Sequence, residues 1–151
     1  MADKLEFTAS ANADYIENVL AKVSVALRER IVKRALRAAA QVVLEQSRVN
    51  LERVTSPAAE GNLLESLAIK TNSLRSKDIT YSLVGATWPQ GAHAHLVEFG
   101  HEASGWYAGN DRVEGREFIQ PAVDSTQPQQ ERILVETIGR LCSREIKKGK
   151  K

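Results

Sequence analysis

Every histidine of the chain lies close to one glutamate, in the set His93, His95, Glu98 and His101. Imidazole and carboxylate groups are good zinc ligands, and three of them with an open fourth position would make a hydrolytic zinc site. The spacing disfavours this chemistry, because on a helix His93 and His95 point about 200° apart, and on a strand Glu98 faces away from both. We therefore predict no metal, no cofactor and no catalytic residues, and keep a zinc-binding hydrolase as a less favoured alternative.

A structural role for Glu98 is simpler than metal binding. A carboxylate beside a turn can accept hydrogen bonds from backbone N–H groups or pair with a cation such as Arg116. The chain contains no glycine-rich phosphate loop and no Gly-x-Ser-x-Gly elbow, which are the local signatures of common enzyme classes. We expect these polar residues to flank a turn, and we do not expect an enzyme.

The first element that could position these groups is a long helical segment. Residues 14–53 contain neither Gly nor Pro and are rich in Ala, Leu, Arg, Lys, Glu and Val. This predicts one long helix or two abutting helices, with Ser10 or Asn12 as the N-cap. From Arg28 onward its apolar residues share one face, which we expect to be buried. They are Ile31, Val32, Ala35, Leu36, Ala38, Ala39, Val42, Val43 and Val49.

The opposite face of this segment is basic. Arg30, Lys33, Arg34 and Arg37 lie within a stripe about 100° wide. Such a stripe is usually a solvated face, but cations along a helix also suit the phosphates of DNA. A nucleic-acid-binding module is therefore the main alternative function, although no aromatic residues interleave to stack on bases.

A second apolar stripe precedes the first and points about a quarter turn away from it. It consists of Ile16, Leu20, Val23 and Leu27. One possibility is that the helix breaks near residues 28–30, so that both stripes pack into one core. The other is that this second stripe packs on a neighbouring subunit. The four residues are thus candidate interface residues.

A small sheet and a short helix are predicted next. Residues 58–66 suit a loop, and residues 67–71 and 79–84 alternate as two strands of an antiparallel hairpin. After Trp88 and Pro89, residues 92–99 can form a short helix. We expect Gly100 to end this helix in the left-handed conformation, where a residue without Cβ is least strained.

Residues 101–115 are rich in glycine and predict a long surface loop. Compact domains seldom contain such a loop without a functional reason. Trp106 and Tyr107 lie within it and are candidate partner contacts.

A second long helix closes the chain. Pro121 suits its first turn, and apolar residues at helical spacing continue to about Ile146. Pro128 would disturb the helix interior, so we expect a kink there or a new start capped by Ser125 or Thr126. The predicted fold class is α+β, with the long N-terminal helix and the C-terminal helix packed on a small antiparallel β-sheet.

Composition limits the remaining possibilities. The 151 residues suit a single domain, residues 1–151, with mobile ends at 1–11 and 144–151. The single cysteine, Cys142, excludes an intrachain disulfide, fits a reducing compartment and suits a partly buried helix position. No segment has the layout of a secretory signal or the length of a membrane span.

Three short motifs occur in order along the chain. Residues 61–66 read Gly-x-Leu-x-x-Ser, residues 97–100 read aliphatic-Glu-Phe-Gly, and residues 118–122 read aromatic-x-x-Pro-Ala. In these motifs the chain resembles the neck and tail-completion proteins of long-tailed bacteriophages, the tail-component family. It departs from the family at Ala59 and Glu60, where Pro and Thr often precede the first motif.

The resemblance implies a structural, non-enzymatic virion protein. It would form a ring, most simply a hexamer, at the head–tail junction, for neck formation or tail completion. Its partners would be head-closure or connector proteins, tail tube or tail terminator proteins, and DNA passing through the lumen, with no membrane. It would be located in the virion neck or tail, and in the host cytoplasm during assembly. Six residues would carry over as structural motif residues that determine the fold: Glu98, Phe99, Gly100, Phe118, Pro121 and Ala122.

Overall fold

Two long helices and two small sheets make up the fold. A computed structural model describes residues 12–55, 62–77, 79–102 and 112–149. The helices are α1 (12–20), α2 (Val25–Val54), α3 (Asn62–Ser66), α4 (Ala94–Phe99) and α5 (Gln120–Lys148), with a 3-10 turn at Arg75–Lys77. The strands are β1 (Leu67–Leu74), β2 (Ile79–Ala86), β3 (Gly100–Glu102) and β4 (Arg112–Glu114), paired as β1–β2 and β3–β4. The predicted α+β class is confirmed.

The chain divides into two compact units. Unit 1 comprises Met1–Ala39, Thr71–Ser82 and Pro128–Lys151, and unit 2 comprises Ala40–Lys70 and Leu83–Gln127. Helices α2 and α5 each contribute residues to both units. Each unit has its own hydrophobic core.

The core of unit 1 explains the second apolar stripe, the one at the N-terminal end of the long helical segment. Val23 is buried with residues of α2 and α5, and Ile16, Leu20 and Leu27 pack against the same cluster. Its buried members are Val23, Ile31, Ala35, Ile138 and Cys142. The structure therefore has the broken helix, the first of the two arrangements that the sequence left open, and the stripe packs against the chain's own core. A further contact of these residues with a neighbouring subunit remains a prediction.

The break lies earlier than predicted. Residues 21–24 separate α1 from α2, whereas the sequence indicated residues 28–30. The Arg28 guanidinium donates to the carbonyls of Val23 (3.1 Å) and Ala21 (3.3 Å), so it holds the turn between α1 and α2. Asn12 is already helical and Ser10 lies outside the described residues.

The core of unit 2 is built around Phe118, which is fully buried with Leu44, Leu51, Leu63 and Leu67. Most of the predicted core face of α2 is buried or half-buried, but Val49 is 41% exposed. The buried face here runs through Leu44, Ser47 and Leu51, and Val49 lies about 200° from both Ser47 and Leu51. Burial therefore follows a slightly different face at this end of the helix.

The predicted hairpin is present, with longer strands. The hydroxyls of Thr71 and Ser82 lie 2.6 Å apart and those of Ser73 and Thr80 3.0 Å apart, as cross-strand pairs. The preceding segment is not wholly loop, because residues 62–66 form α3. The carbonyl of Ser66 accepts hydrogen bonds from the N–H and hydroxyl of Thr87.

Helix α5 is continuous through Pro128. Of the two predicted alternatives, a kink or a new helix start, the new start is wrong, because Thr126 lies inside the helix and its hydroxyl donates to the carbonyl of Ala122 at 2.6 Å. Pro121 lies in the first turn, as predicted. Cys142 is fully buried on this helix, and burial raises the pKa of its thiol.

Candidate functional site

The aliphatic-Glu-Phe-Gly motif closes α4 and begins the small β3–β4 sheet. Gly100 has φ 75° and ψ 179°, so its positive φ is as predicted but its conformation is extended rather than left-handed helical. This region is almost exclusive to glycine. A Cβ on Gly100 would collide with the backbones of Val113 and Gly115, and a Cβ on Gly115 would collide with those of Glu98 and Phe99. The absence of a Cβ at Gly100 and at Gly115 therefore allows the end of α4 and the end of β4 to come into close contact.

Glu98 is the central polar residue of this region and is only 5% exposed. Its Oε2 accepts hydrogen bonds from the backbone N–H groups of Phe118 (2.8 Å) and Ile119 (3.1 Å). Its Oε1 accepts from the N–H of Gln120 at 3.0 Å. A helix leaves its first N–H groups without partners and carries partial positive charge at that end. The predicted role of Glu98 in capping backbone N–H groups is confirmed.

Arg116 does not pair with Glu98. Its guanidinium donates to the carbonyl of Val54 at 2.9 Å, and its backbone N–H donates to Val97 at 2.7 Å. Asn50 adds another link, from its Nδ2 to the carbonyl of Phe118 at 3.1 Å. Asn50 could not be identified from the sequence, because a polar residue on a helix carries no signal of a distant partner. Gly115 was equally hidden, because it lies in a glycine-rich segment that predicts a loop.

The three histidines do not form a ligand set. His93, His95 and His101 are exposed, and Glu98 is engaged by the start of α5. In the part of the chain that the structure describes, no group of three or more His, Cys, Asp or Glu residues is placed to hold a metal ion. His93 and His101 instead border a mainly apolar pocket of about 370 Å³, which Leu96, Val97 and Val113 help to line.

Phe99 lies beside a different concave surface, of about 490 Å³, on unit 2. We call this surface the acidic concavity; it is lined by Glu98, Phe99, Arg112, Glu114, Gly115 and Glu117. The motif had led us to expect that Phe99 determines the fold. Its side chain is 69% exposed, so it does not do so by burial. Phe118 and Ala122 are fully buried and do so.

The predicted basic stripe lies on unit 1. Arg30, Arg34 and Arg37 are exposed, while Lys33 pairs with Glu29 at 2.8 Å. The stripe is therefore a solvated face. A hydrogen bond from Lys148, partly offset by desolvation and reinforced by the charges of Lys148, Arg30 and Arg144, holds the pKa of Glu145 below its ordinary value.

Part of the predicted surface loop is ordered as strands. In the β3–β4 pair Gly100 lies opposite Glu114, His101 opposite Val113, and Glu102 opposite Arg112. Trp106 and Tyr107 lie outside the described residues. Their assignment as partner contacts remains a prediction.

The most distinctive residue of this α+β protein is thus a glutamate that binds backbone at the start of a helix. Residues 14–100 match the protein family described as "Bacteriophage HK97-gp10, putative tail-component". The chain belongs to this family of phage tail components. The match includes the first two motifs, whereas the third, at residues 118–122, follows it. Comparison with curated proteins and with solved structures finds no match. Among the described residues, no helix is long and apolar enough to cross a membrane.

Proposed function

We propose that this protein is a structural component of the phage virion that forms a ring at the head–tail junction, as a neck or tail-completion protein. Family membership over residues 14–100 is the observation that carries the proposal. The protein works through complementary surfaces rather than catalysis. Its location is the virion, after assembly in the host cytoplasm.

The ring has six copies in this proposal and joins the head to the tail. One side contacts head-closure or connector proteins, and the other contacts tail tube or tail terminator proteins. Trp106 and Tyr107 supply contacts to these neighbours. Large aromatic residues are enriched in protein interfaces, which supports this choice.

The basic stripe gives the ring a surface for DNA passing through its lumen. Arg30 and Arg34 are exposed on α2, and such cations contact phosphates without reading sequence. A DNA-binding module outside the virion is the rival function that these same residues favour.

The proposal is tested by removing the protein from an infection. A phage carrying a stop codon in this gene should accumulate separate filled heads and tails, because a joining ring contributes to neither body alone. Purified wild-type protein added to that lysate should restore joined particles. Electron microscopy with antibody labelling should place the protein at the junction in wild-type virions.

Two outcomes would refute the proposal. One is normal infectious particles from the stop-codon phage. The other is protein that stays with unpackaged DNA in the cell and is missing from purified virions, which would favour the DNA-binding module.

A further inference from the structure

Charge is distributed very unequally between the two units. The segments of unit 1 carry sixteen Lys and Arg residues against nine Asp and Glu, a net charge of +7. The segments of unit 2 carry five against ten, a net charge of −5. The net charge of the whole chain, +2, conceals this separation. A basic surface and an acidic surface on one molecule are complementary between two copies of it.

The acidic concavity is the acidic surface with the clearest features of a contact site. Glu114 and Glu117 are exposed there, and Arg112, the cation beside them, lies opposite Glu102 in the β3–β4 pair. Phe99 presents an apolar ring at the same place. Within the same motif, Glu98 and Gly100 have structural roles, whereas the exposed ring of Phe99 has none.

The matching basic surface lies on α2 of unit 1. Arg30 and Arg34 are one turn apart and both are exposed. The pKa of Glu145 is lowered chiefly by its hydrogen bond from Lys148, and the charge of Arg30 contributes to this lowering. Arginine both pairs with carboxylates and stacks on aromatic rings, so it suits a surface made of Glu114, Glu117 and Phe99.

We propose that the acidic concavity of one copy binds the Arg30–Arg34 surface of a second copy. The two surfaces are different, so the contact is heterologous and each copy can both give and receive it. Repetition of a heterologous contact closes into a ring when its rotation allows. The inference rests on the proposed function for its ring, and it adds which surfaces join the copies.

The occupant is a second copy rather than DNA because the concavity is acidic. In the assembled ring this contact takes the place of DNA on the Arg30–Arg34 surface, which contacts DNA only in the separate protomer. Arg37 is the exposed arginine of the stripe that remains for DNA in the lumen. A nucleic acid could use the basic surface but would be repelled by Glu114 and Glu117. The second copy uses both surfaces at once. A contact with a second copy also explains why the ring of Phe99 is exposed, since an arginine guanidinium can stack on it.

Charge-swap variants test the contact directly. Glu114→Lys with Glu117→Lys makes both contact surfaces basic, and Arg30→Glu with Arg34→Glu makes both acidic. Each variant should weaken self-association by at least about tenfold, measured as particle mass against concentration at low salt. A mixture of the two variants should assemble again, because every contact then pairs unlike charges.

Two further variants serve as checks. Glu45→Lys with Glu52→Lys makes the same change of net charge at exposed positions of α2 in unit 2, and it should assemble like the wild type. Phe99→Ser should weaken assembly without lowering the melting temperature, because the ring is 69% exposed. Circular dichroism establishes that each variant is folded.

The outcomes separate this inference from the proposed function. Assembly that is equal in all variants, or a wild type that keeps the protomer mass at low salt, overturns the inference even if the protein enters virions. Rescue in the mixture supports it even if the protein is later found outside the neck. Loss of DNA affinity in the Arg30 and Arg34 variant, with unchanged assembly, assigns the basic surface to DNA and also overturns it.

Discussion

Glu98 shows how one carboxylate can hold two distant segments of a chain together. It accepts hydrogen bonds from three consecutive N–H groups about twenty residues away, at the start of a 29-residue helix. Bonds to an ionised acceptor are stronger than neutral ones. The cost of burying the charge is offset by those donors and by the positive end of the helix.

Removing this carboxylate should be costly. Glu98→Ala leaves buried N–H groups without acceptors and should lower the free energy of unfolding by about 3 kcal/mol. Glu98→Gln keeps an oxygen but turns an NH₂ group toward a donor, so we expect a smaller loss. Urea denaturation of both variants measures the difference. Glu102→Gln, at an exposed neighbouring strand position, is the control; equal stability of all four proteins would contradict the role of Glu98.

Gly100 provides a second test at the residue scale. Gly100→Ala should destabilise the protein by about 1 kcal/mol or more, because its positive φ strains any side chain, and its Cβ would meet the backbone of Val113. Gly100→Val should be worse. A Cβ on Gly85 meets nothing within 4 Å, so Gly85→Ala should leave the melting temperature nearly unchanged. An equal effect at both glycines would argue against a special conformation at Gly100.

At the scale of elements, a comparison of two valines shows whether the apolar stripe on α1 and the following turn belongs to the core of unit 1 or to a subunit interface. Val23 is 7% exposed in the core of unit 1, whereas Val25 is 76% exposed. Val23→Asp should cost about 3–5 kcal/mol, since it buries an unpaired charge, and Val25→Asp should cost little. Leu20→Asp should also destabilise the protomer. Denaturation curves and particle masses are measured for each variant. Loss of assembly with unchanged protomer stability would show that the stripe is a subunit interface.

Helix α5 contains a proline at a position that lowers its stability. Pro128 cannot donate a backbone hydrogen bond to the preceding turn, and its ring crowds that turn. Pro128→Ala should therefore stabilise the protein by about 1 kcal/mol or more. Pro121→Ala should not, because a proline in the first turn sacrifices no intrahelical bond. A higher melting temperature for Pro121→Ala than for Pro128→Ala would contradict this reasoning.

The helices and the hairpin were predictable because each depends on local patterns. The long segment without Gly or Pro became α1 and α2, and alternation identified β1 and β2. The break at residues 21–24 was missed because none of those residues is a proline or glycine. Strands β3 and β4 are three residues each, too short for alternation to reveal.

The site was predictable only in part, for a similar reason. The positive φ of Gly100 and the capping role of Glu98 followed from residue type beside a turn. The identity of the capped helix could not follow, because the pairing of Glu98 with Phe118 depends on tertiary structure. The exposure of Phe99 was also unexpected, since sequence composition treats every phenylalanine as a core candidate.

At the scale of the whole molecule, the separation of charge determines how the protein meets nucleic acid. Unit 1 is basic enough to attract phosphates, while the net charge of unit 2 is negative and opposes a long contact. Binding that depends only on phosphates releases counterions and weakens steeply with salt. It also carries no sequence information, because specificity requires contacts to base edges or to DNA shape.

We therefore expect weak, sequence-independent binding to duplex DNA, with a dissociation constant of about 10⁻⁴ to 10⁻⁶ M at physiological salt. Arg30→Glu with Arg34→Glu should weaken binding and flatten its dependence on salt, because fewer counterions are then released. Lys77→Glu with Arg132→Glu makes the same change of net charge at other exposed positions of unit 1, and should have a smaller effect. Fluorescence anisotropy with unrelated duplexes over a range of salt concentrations measures both properties. Nanomolar binding to one defined duplex at physiological salt would contradict a surface that reads only phosphates, and would favour a dedicated DNA-binding function over a ring that DNA merely crosses.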